Sequence, residues 1–144
     1  MRTNISPIKR NTELLFYNQP NTKNYKVFSI KKGMIGEFTV EKRNELFINH
    51  LYIEPDKRRQ GYGAKILDFI SGLSKKEGLN GKMRVLASLL DNEKEKPPHI
   101  FYRKYGFTAN DKQALSEIDK HIFNKKQLPP LFKPLYMFFI PPKI

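Results

Sequence analysis

The sequence predicts an α+β fold in which a mixed, mostly antiparallel central sheet is flanked by helices. Four short segments rich in aliphatic and aromatic residues, separated by polar residues, occupy residues 14–53 and are typical of strands. Beyond residue 61 the apolar residues recur with helical spacing instead. A run of strands followed by alternating helices and strands indicates α+β architecture.

The four predicted strands are Leu14–Tyr17, Tyr25–Ile30, Met34–Val40 and Leu46–Ile53. Turn-forming residues at Lys32-Gly33, and a polar run from Lys42 to Glu45, separate the last three. Short connections of this kind join antiparallel neighbours, so these three strands are expected to form a meander. Pro55-Asp56 ends the fourth strand.

The segments that follow predict three helices and two strands. Apolar residues between Ile66 and Leu73 predict a helix over Tyr62–Lys76, with Gly78 as its C-terminal cap. The remaining predicted elements are a strand at Met83–Leu90, a helix at His99–Tyr105, a helix at Asp111–Phe123 and a strand at Leu135–Ile140. Residues 1–144 are expected to form a single domain.

The composition excludes several classes of protein. The chain of 144 residues has no cysteine, which rules out disulfide scaffolds, thiolate metal sites and cysteine nucleophiles. The three histidines are far apart and lack metal-ligand spacing, so no metal is expected. We find neither a signal-peptide pattern nor an apolar run long enough to cross a bilayer. A cytoplasmic protein without membrane association is therefore expected.

The segment with the clearest chemical signature joins the fourth strand to the first helix. Arg58 and Arg59 are followed by Gly61 and Gly63, and the helix begins between the two glycines. The first amides of a helix lack internal partners and lie at the positive end of the helix dipole, so this turn suits a phosphate group. The alternative is a purely structural corner, because the turn matches neither the Walker nor the dinucleotide-binding pattern.

A second segment, Phe101-Tyr102-x-Lys104-x-Gly106-Phe107, follows the Pro97-Pro98 helix start. Together with Arg58-x-x-Gly61-x-Gly63 it resembles the GNAT superfamily of N-acetyltransferases, over residues 34–107. The resemblance implies direct transfer of an acetyl group from acetyl-CoA to an amine acceptor. It also implies that the end of the fourth strand splays from the next strand and binds the pantetheine arm.

The resemblance assigns roles to individual residues. The expected cofactor-binding residues are Leu51, Tyr52, Ile53, Arg58, Arg59, Gln60, Gly61, Tyr62, Gly63 and Ala64. Tyr102 matches the tyrosine that protonates the departing thiolate, a role open to a hydroxyl that is protonated at neutral pH. The alternative for Tyr102 is an aromatic anchor that packs its helix on the sheet.

No general base is evident where the family often carries Glu or His, because Phe47 and Asn49 occupy those positions. Asn49 is expected to hold a water that relays the proton, and Glu37 and Glu54 are further candidates. Strand alternation places His50 on the face opposite Asn49, which favours a structural role for that histidine.

Two further departures concern the acceptor. Residues 18–24 are too few for the two helices that the family usually has there, which predicts an open cleft and a bulky or macromolecular acceptor. The helix at Asp111–Phe123 is an alternative cover for that cleft. Residues 89–96 look like an insertion, and Asp91–Glu95 is the one acidic cluster evident in the sequence.

The net charge of +13 attracts the phosphates of CoA and opposes cationic acceptors. Acidic proteins, small amino-acid-like amines and amines carried on RNA fit this charge better, aminoacyl-tRNA or a ribosomal protein included. Two alternatives stay open. The charge serves solubility alone, or the chain is a non-catalytic module of the same fold that binds RNA or a protein partner through its basic surface.

Overall fold

The computed structural model describes residues 4–7, 14–88, 98–124 and 133–142, with side chains from residue 14 onward. A seven-stranded sheet runs through it in the order of the chain. Its strands are β1 (Asn4–Pro7), β2 (Leu14–Asn18), β3 (Asn24–Ser29), β4 (Gly33–Lys42), β5 (Leu46–Ile53), β6 (Met83–Ala87) and β7 (Leu135–Phe139).

Neighbouring strands pair antiparallel except for β5 and β6, which are parallel. The predicted meander β3–β4–β5 is confirmed, and β2 extends it by pairing with β3. Strand β1 was not predicted. Strand β6 ends at Ala87, earlier than the predicted Leu90, which lies outside the described residues.

The three predicted helices are present: α1 (Tyr62–Lys76), α2 (Pro98–Tyr105) and α3 (Lys112–Asn124). A short 3-10 helix, Pro55–Lys57, follows β5. Gly78 follows the end of α1 with a positive φ of 81°, as expected of a C-terminal cap. Asp111 caps α3, because its Oδ1 accepts a hydrogen bond from the amide of Ala114 at 3.0 Å.

Helices α1 and α2 pack on one face of the sheet, which we call the covered face, and α3 packs on α2. The ring of Phe69 on α1 stacks on Phe16 at 3.9 Å and meets Phe38 edge-on. Tyr105 on α2 donates a hydrogen bond to Asp68 on α1, so α2 lies on the same side. The strand side chains of this face are buried: Leu14, Phe16, Tyr25, Val27, Phe38, Val40, Leu46, Ile48, Met83, Val85, Leu135 and Met137.

The opposite face, which we call the open face, carries no helix among the described residues. Helix α3 does not cover it, because α3 packs on α2, where Asp119 accepts two hydrogen bonds from Arg103. Residues 19–23 form only a turn, as expected. The open face includes Lys26, Glu37, Thr39, Glu41, Phe47, Asn49, His50, Tyr52, Arg84, Leu86, Tyr136 and Phe138.

Candidate functional site

The parallel strands β5 and β6 separate part-way along the sheet. Their ladder joins Leu46 to Met83 and ends at the pair Ile48 and Val85. Beyond that point β5 continues to Ile53 paired only with β4, while β6 continues to Ala87 paired with β7. This leaves main-chain groups of residues 51–53 facing a split in the sheet, as the resemblance implied, and a strand-like molecule could pair with them.

The turn after β5 is tied to the end of that strand. The Arg58 Nε donates a hydrogen bond to the carbonyl of Ile53 at 2.8 Å, and the guanidinium lies 5.6 Å from the centre of the Tyr52 ring. Arg58 therefore positions the turn against the strand, in addition to contributing charge. Because the turn is short, α1 begins at the end of the sheet where the split opens.

The first turn of α1 has the properties of an anion site. Gly61 is the N-cap, with a left-handed φ of 84°, and having no side chain it supplies no capping hydrogen bond. A Cβ built on Gly61 would meet nothing within 4 Å, so the space beside it is open. The first turn contains no acidic residue that would compete with a bound anion.

Basic side chains surround this turn. Lys32, from the β3–β4 connection, donates a hydrogen bond to the Gln60 side chain at 2.9 Å. The ammonium groups of Lys32 and Lys65 lie 5.7 Å and 5.8 Å from the centre of the Tyr62 ring. Arg59 is exposed and has a positive φ of 63°. The potential at the start of α1 is therefore positive, which favours a phosphate.

The absence of a side chain at Gly63 makes close helix packing possible. A Cβ on Gly63 would lie 2.7 Å from the Phe101 ring of α2, so its missing side chain makes room for that ring rather than for an anion. The contact fixes α2 beside the start of α1. Of the two glycines, Gly61 is the one with open space beside it at the candidate anion site.

Tyr102 is buried on the covered face, with 6% of its surface exposed. Its ring packs on Phe101 and Phe107, each at 5.1 Å between ring centres. Burial raises the pKa of the Tyr102 hydroxyl well above its usual value, so the group remains protonated throughout the physiological pH range. Both interpretations of Tyr102, the acid and the aromatic anchor, are compatible with this position.

The open face departs from the predicted alternation at Asn49. Thr39 pairs with His50 and Val40 pairs with Ile48, so Asn49 is an extra residue that forms a β-bulge in β5. The bulge places the side chains of Asn49 and His50 on the same face, where they contact Glu41 and Glu37 respectively. The expectation that His50 faces the other side was wrong, because one inserted residue shifts the two-residue period.

The open face also brings together acidic residues that are separated in the sequence. Glu37 and Glu41 lie on the same side of β4, where Glu37 contacts Lys26 at 3.8 Å and Glu41 contacts Arg43 at 2.9 Å. Hydrogen bonds from Arg43 and then Asn49 lower the pKa of Glu41. Glu37 and Glu41 are thus acidic groups that an amine could meet on this face, and the predicted acidic cluster Asp91–Glu95 lies outside the described residues.

The remaining titratable groups do not form a metal centre. No group of three or more His, Asp or Glu side chains is arranged to hold a metal ion within residues 14–88, 98–124 and 133–142. No helix in the same residues is long and apolar enough to span a bilayer. His99 is fully buried at the start of α2, where burial lowers its pKa despite a hydrogen bond to the Lys133 carbonyl.

Comparison with protein families shows to which family this chain belongs. The family model described as an acetyltransferase (GNAT) domain matches residues 23–109, which is more than half of the chain. The chain belongs to the GNAT family. The matched residues contain the meander, the split, α1 and the Tyr102 helix, and they end before α3. No match was found among curated protein sequences.

Solved structures share the GNAT fold at low sequence identity. A protein assigned as a streptothricin acetyltransferase from Bacillus anthracis, in complex with acetyl coenzyme A, is 16% identical with a TM-score of 0.58. The alignment covers 85% of this chain but only 64% of that protein. An aminoglycoside 6'-N-acetyltransferase complexed with coenzyme A is 14% identical, with a TM-score of 0.56 and coverage of 86% and 77%. Nourseothricin acetyltransferase is 13% identical, with a TM-score of 0.56 and coverage of 95% and 82%.

The GNAT chain thus brings most of its predicted site residues to one end of the sheet. The strand end 51–53 and the turn 58–64 are adjacent, whereas Tyr102 lies on the covered face and Asn49 on the open face. Sequence reasoning missed Lys32, Lys65 and Phe101 as neighbours of the turn. The pairing of β3 with β4 brings Lys32 there and the packing of α2 on α1 brings Phe101, whereas Lys65 lies in the first turn of α1 and could have been found from its spacing.

Proposed function

We propose that this chain is an acetyl-CoA-dependent N-acetyltransferase that transfers an acetyl group from the thioester to an amine acceptor. The observation that carries the proposal is the meeting of two features. The split between β5 and β6 opens at the same end of the sheet as the uncapped start of α1. A long cofactor with a diphosphate at one end and an amide-containing arm at the other fits that pair of features.

The roles of the chain's own residues follow from their chemistry. Amides at Gly61–Ala64 would bind the diphosphate, with Lys32, Arg59 and Lys65 nearby as counter-charges. Main-chain groups of residues 51–53 would pair with the pantetheine arm. Acetyl-CoA supplies the activated acetyl group. A strand N–H beside the split would polarise the thioester carbonyl.

Tyr102 is proposed as the proton donor to the departing thiolate. Its raised pKa keeps the hydroxyl in the donating form, and its short helix is held close to the start of α1 by the contact of Phe101 with Gly63. Asn49 cannot titrate, so we assign it the holding of a water or of the amine on the open face, alongside its hydrogen bond to Glu41.

The acceptor is proposed to approach from the open face. Two structural relatives are an aminoglycoside and a nourseothricin acetyltransferase by name, and they suggest an amine-bearing small molecule as a first candidate class. The carboxylates of Glu37 and Glu41 on the open face would offset the positive net charge that opposes a cationic acceptor of this kind. A face without a covering helix among the described residues also admits a bulky acceptor. No feature of the described residues favours the non-catalytic module as an alternative.

Isothermal titration calorimetry with acetyl-CoA tests the proposal, using Gly61→Glu and the control Gly72→Ala. The glutamate side chain would strain a left-handed position and place a carboxylate at the anion site, so we expect affinity to fall at least about a hundredfold. Gly72 lies within α1, where an added Cβ meets nothing within 4 Å, so its variant should bind as the wild type does. Equal affinity of Gly61→Glu and wild type would remove the turn from the site.

Release of free thiol measures turnover. The wild-type protein is incubated with acetyl-CoA and, in separate reactions, with an aminoglycoside, a streptothricin-type antibiotic, spermidine, and a peptide with a free N-terminal amine. Acetyl-CoA binding together with thiol release for at least one amine supports the proposal. Binding of acetyl-CoA without turnover of any of the four counts against it.

A further inference from the structure

The β-bulge at Asn49 places the imidazole of His50 at the edge of the split between β5 and β6. The parallel ladder between β5 and β6 ends at Ile48, and His50 is the second residue beyond it. Its side chain is 49% exposed on the open face and stacks parallel to the Tyr52 ring, with 6.4 Å between ring centres. The imidazole is therefore accessible to an acceptor on the face from which we propose that it approaches.

Glu37 orients this imidazole. The Nε2 of His50 lies 3.3 Å from Glu37 Oε2, and the two side chains are on the same face because Thr39 pairs with His50 and Glu37 with Tyr52. An ionised carboxylate only accepts hydrogen bonds, so this contact places the proton of the neutral ring on Nε2. The other ring nitrogen, Nδ1, is then left with a lone pair that can accept a proton.

We infer that His50 is the base that removes a proton from the acceptor amine, with Glu37 as its positioning residue. The inference rests on the proposed function. His50 takes one proton from the ammonium group, and the freed amine then forms a bond to the thioester carbonyl carbon while the carbon–sulfur bond breaks. Of the three protons of the ammonium group, one leaves through His50, one replaces the proton that Tyr102 gives to the sulfur, and one stays on the amide nitrogen.

The proposed role of His50 is one that the charged and polar side chains around it do not share. Among the described residues, the charged and titratable groups that face His50 are Glu37, with Lys26 behind it, and Tyr52, with Arg58 behind it. Asn49, the adjacent residue, has no group that titrates and already bonds Glu41. His50 is thus the side chain on this part of the open face whose ring nitrogen is placed to accept a proton from an amine.

The test compares His50→Gln with the control His121→Gln, which changes a histidine on α3, away from the split. The acceptor is whichever of the four amines above the wild type acetylates fastest. We expect kcat/KM of His50→Gln to fall at least about a hundredfold at neutral pH, the usual contribution of a general base. Its acetyl-CoA affinity and thermal midpoint should match those of the wild type, and His121→Gln should keep wild-type turnover.

Two further measurements separate a proton-transfer role from a structural one. Imidazole added to the buffer should restore turnover to His50→Ala and leave the wild type unaffected. Glu37→Gln should lower kcat and leave the KM for acetyl-CoA unchanged, because the imidazole loses the carboxylate that orients it.

Retention of kcat/KM within about threefold in His50→Gln, with the wild-type pH profile, would overturn the inference and leave the acetyltransferase proposal standing. A loss in His50→Gln that comes with weaker acetyl-CoA binding or a lower thermal midpoint, and that imidazole does not rescue, would also overturn it. If the wild type itself acetylates none of the four amines, the proposed function fails first, and the role of His50 fails with it.

Discussion

The two faces of the sheet are built from the same strands but differ in almost every physical respect. The covered face consists of buried apolar and aromatic side chains under α1 and α2, with Phe16, Phe38 and Ile48 at most 2% exposed. The open face alternates charged groups with aromatic rings, and its charges pair with one another: Lys26 with Glu37, Arg43 with Glu41, Arg84 with Glu45.

This difference shows how one sheet separates stability from chemistry. Burial of apolar surface supplies most of the folding free energy, so the covered face leaves little freedom in the choice of side chain. The open face contributes less to stability, and its side chains are therefore available for recognition and proton transfer. The split between β5 and β6 connects the two faces, with Tyr102 on one side and His50 on the other.

The largest expected difference between the two faces is in their contribution to the free energy of unfolding. Phe38→Ala removes a ring that packs against Phe16, Tyr25 and Phe69, and it should lower the free energy of unfolding by about 3–5 kcal/mol. Tyr136→Ala on the open face, where the residue is 54% exposed, should cost less than about 1 kcal/mol. Urea denaturation measures both. Similar losses for the two variants would contradict the division between the faces.

A smaller effect is expected for Tyr102→Phe, which removes only a hydroxyl from the covered face. If Tyr102 is the acid, kcat should fall about ten- to a hundredfold while acetyl-CoA affinity stays unchanged. The raised pKa further predicts that the wild type shows no loss of activity from Tyr102 ionisation up to about pH 10, the ordinary pKa of a tyrosine. Equal kcat in the variant would leave Tyr102 as an aromatic anchor alone.

The smallest effect is expected at the cap of α3, away from both faces. Hydrogen bonding from the Ala114 amide and from Lys133 lowers the pKa of Asp111. The stability that comes with a lowered pKa is present above the ordinary pKa of the carboxyl group and is lost as the pH falls through the lowered value. Asp111→Ala should therefore reduce the thermal midpoint slightly at neutral pH, and the difference should shrink below about pH 4. Asp111→Asn, which keeps a capping oxygen, is the matched control.

The order and type of the elements from β2 to β7 could be predicted from the sequence because hydrophobic period and turn residues determine them locally. Strand β1 was missed because Asn4–Pro7 is four residues long, and only its pairing with β2 makes it a strand. The glycine turn was predicted, but the contact of Gly63 with Phe101 depends on how α2 packs, which no local pattern encodes.

The open face was the part that sequence reasoning predicted least well. No glycine or proline beside Asn49 indicates a bulge in the sequence, so strict alternation predicted His50 on the face opposite Asn49. The pairing of Glu37 with His50 joins residues on different strands, and it follows only from the register of β4 with β5. Side-chain chemistry at this split therefore depends on strand pairing that the sequence does not display.

The β-bulge in β5, rather than the type of any side chain, determines the face of the sheet on which His50 lies. A strand that kept Asn49 but lost the bulge would turn the imidazole toward the apolar interior, whereas deletion of Asn49 would leave His50 opposite Thr39, on the open face. The irregular backbone at this position therefore allows two successive side chains, an amide and an imidazole, to face the same side of the sheet.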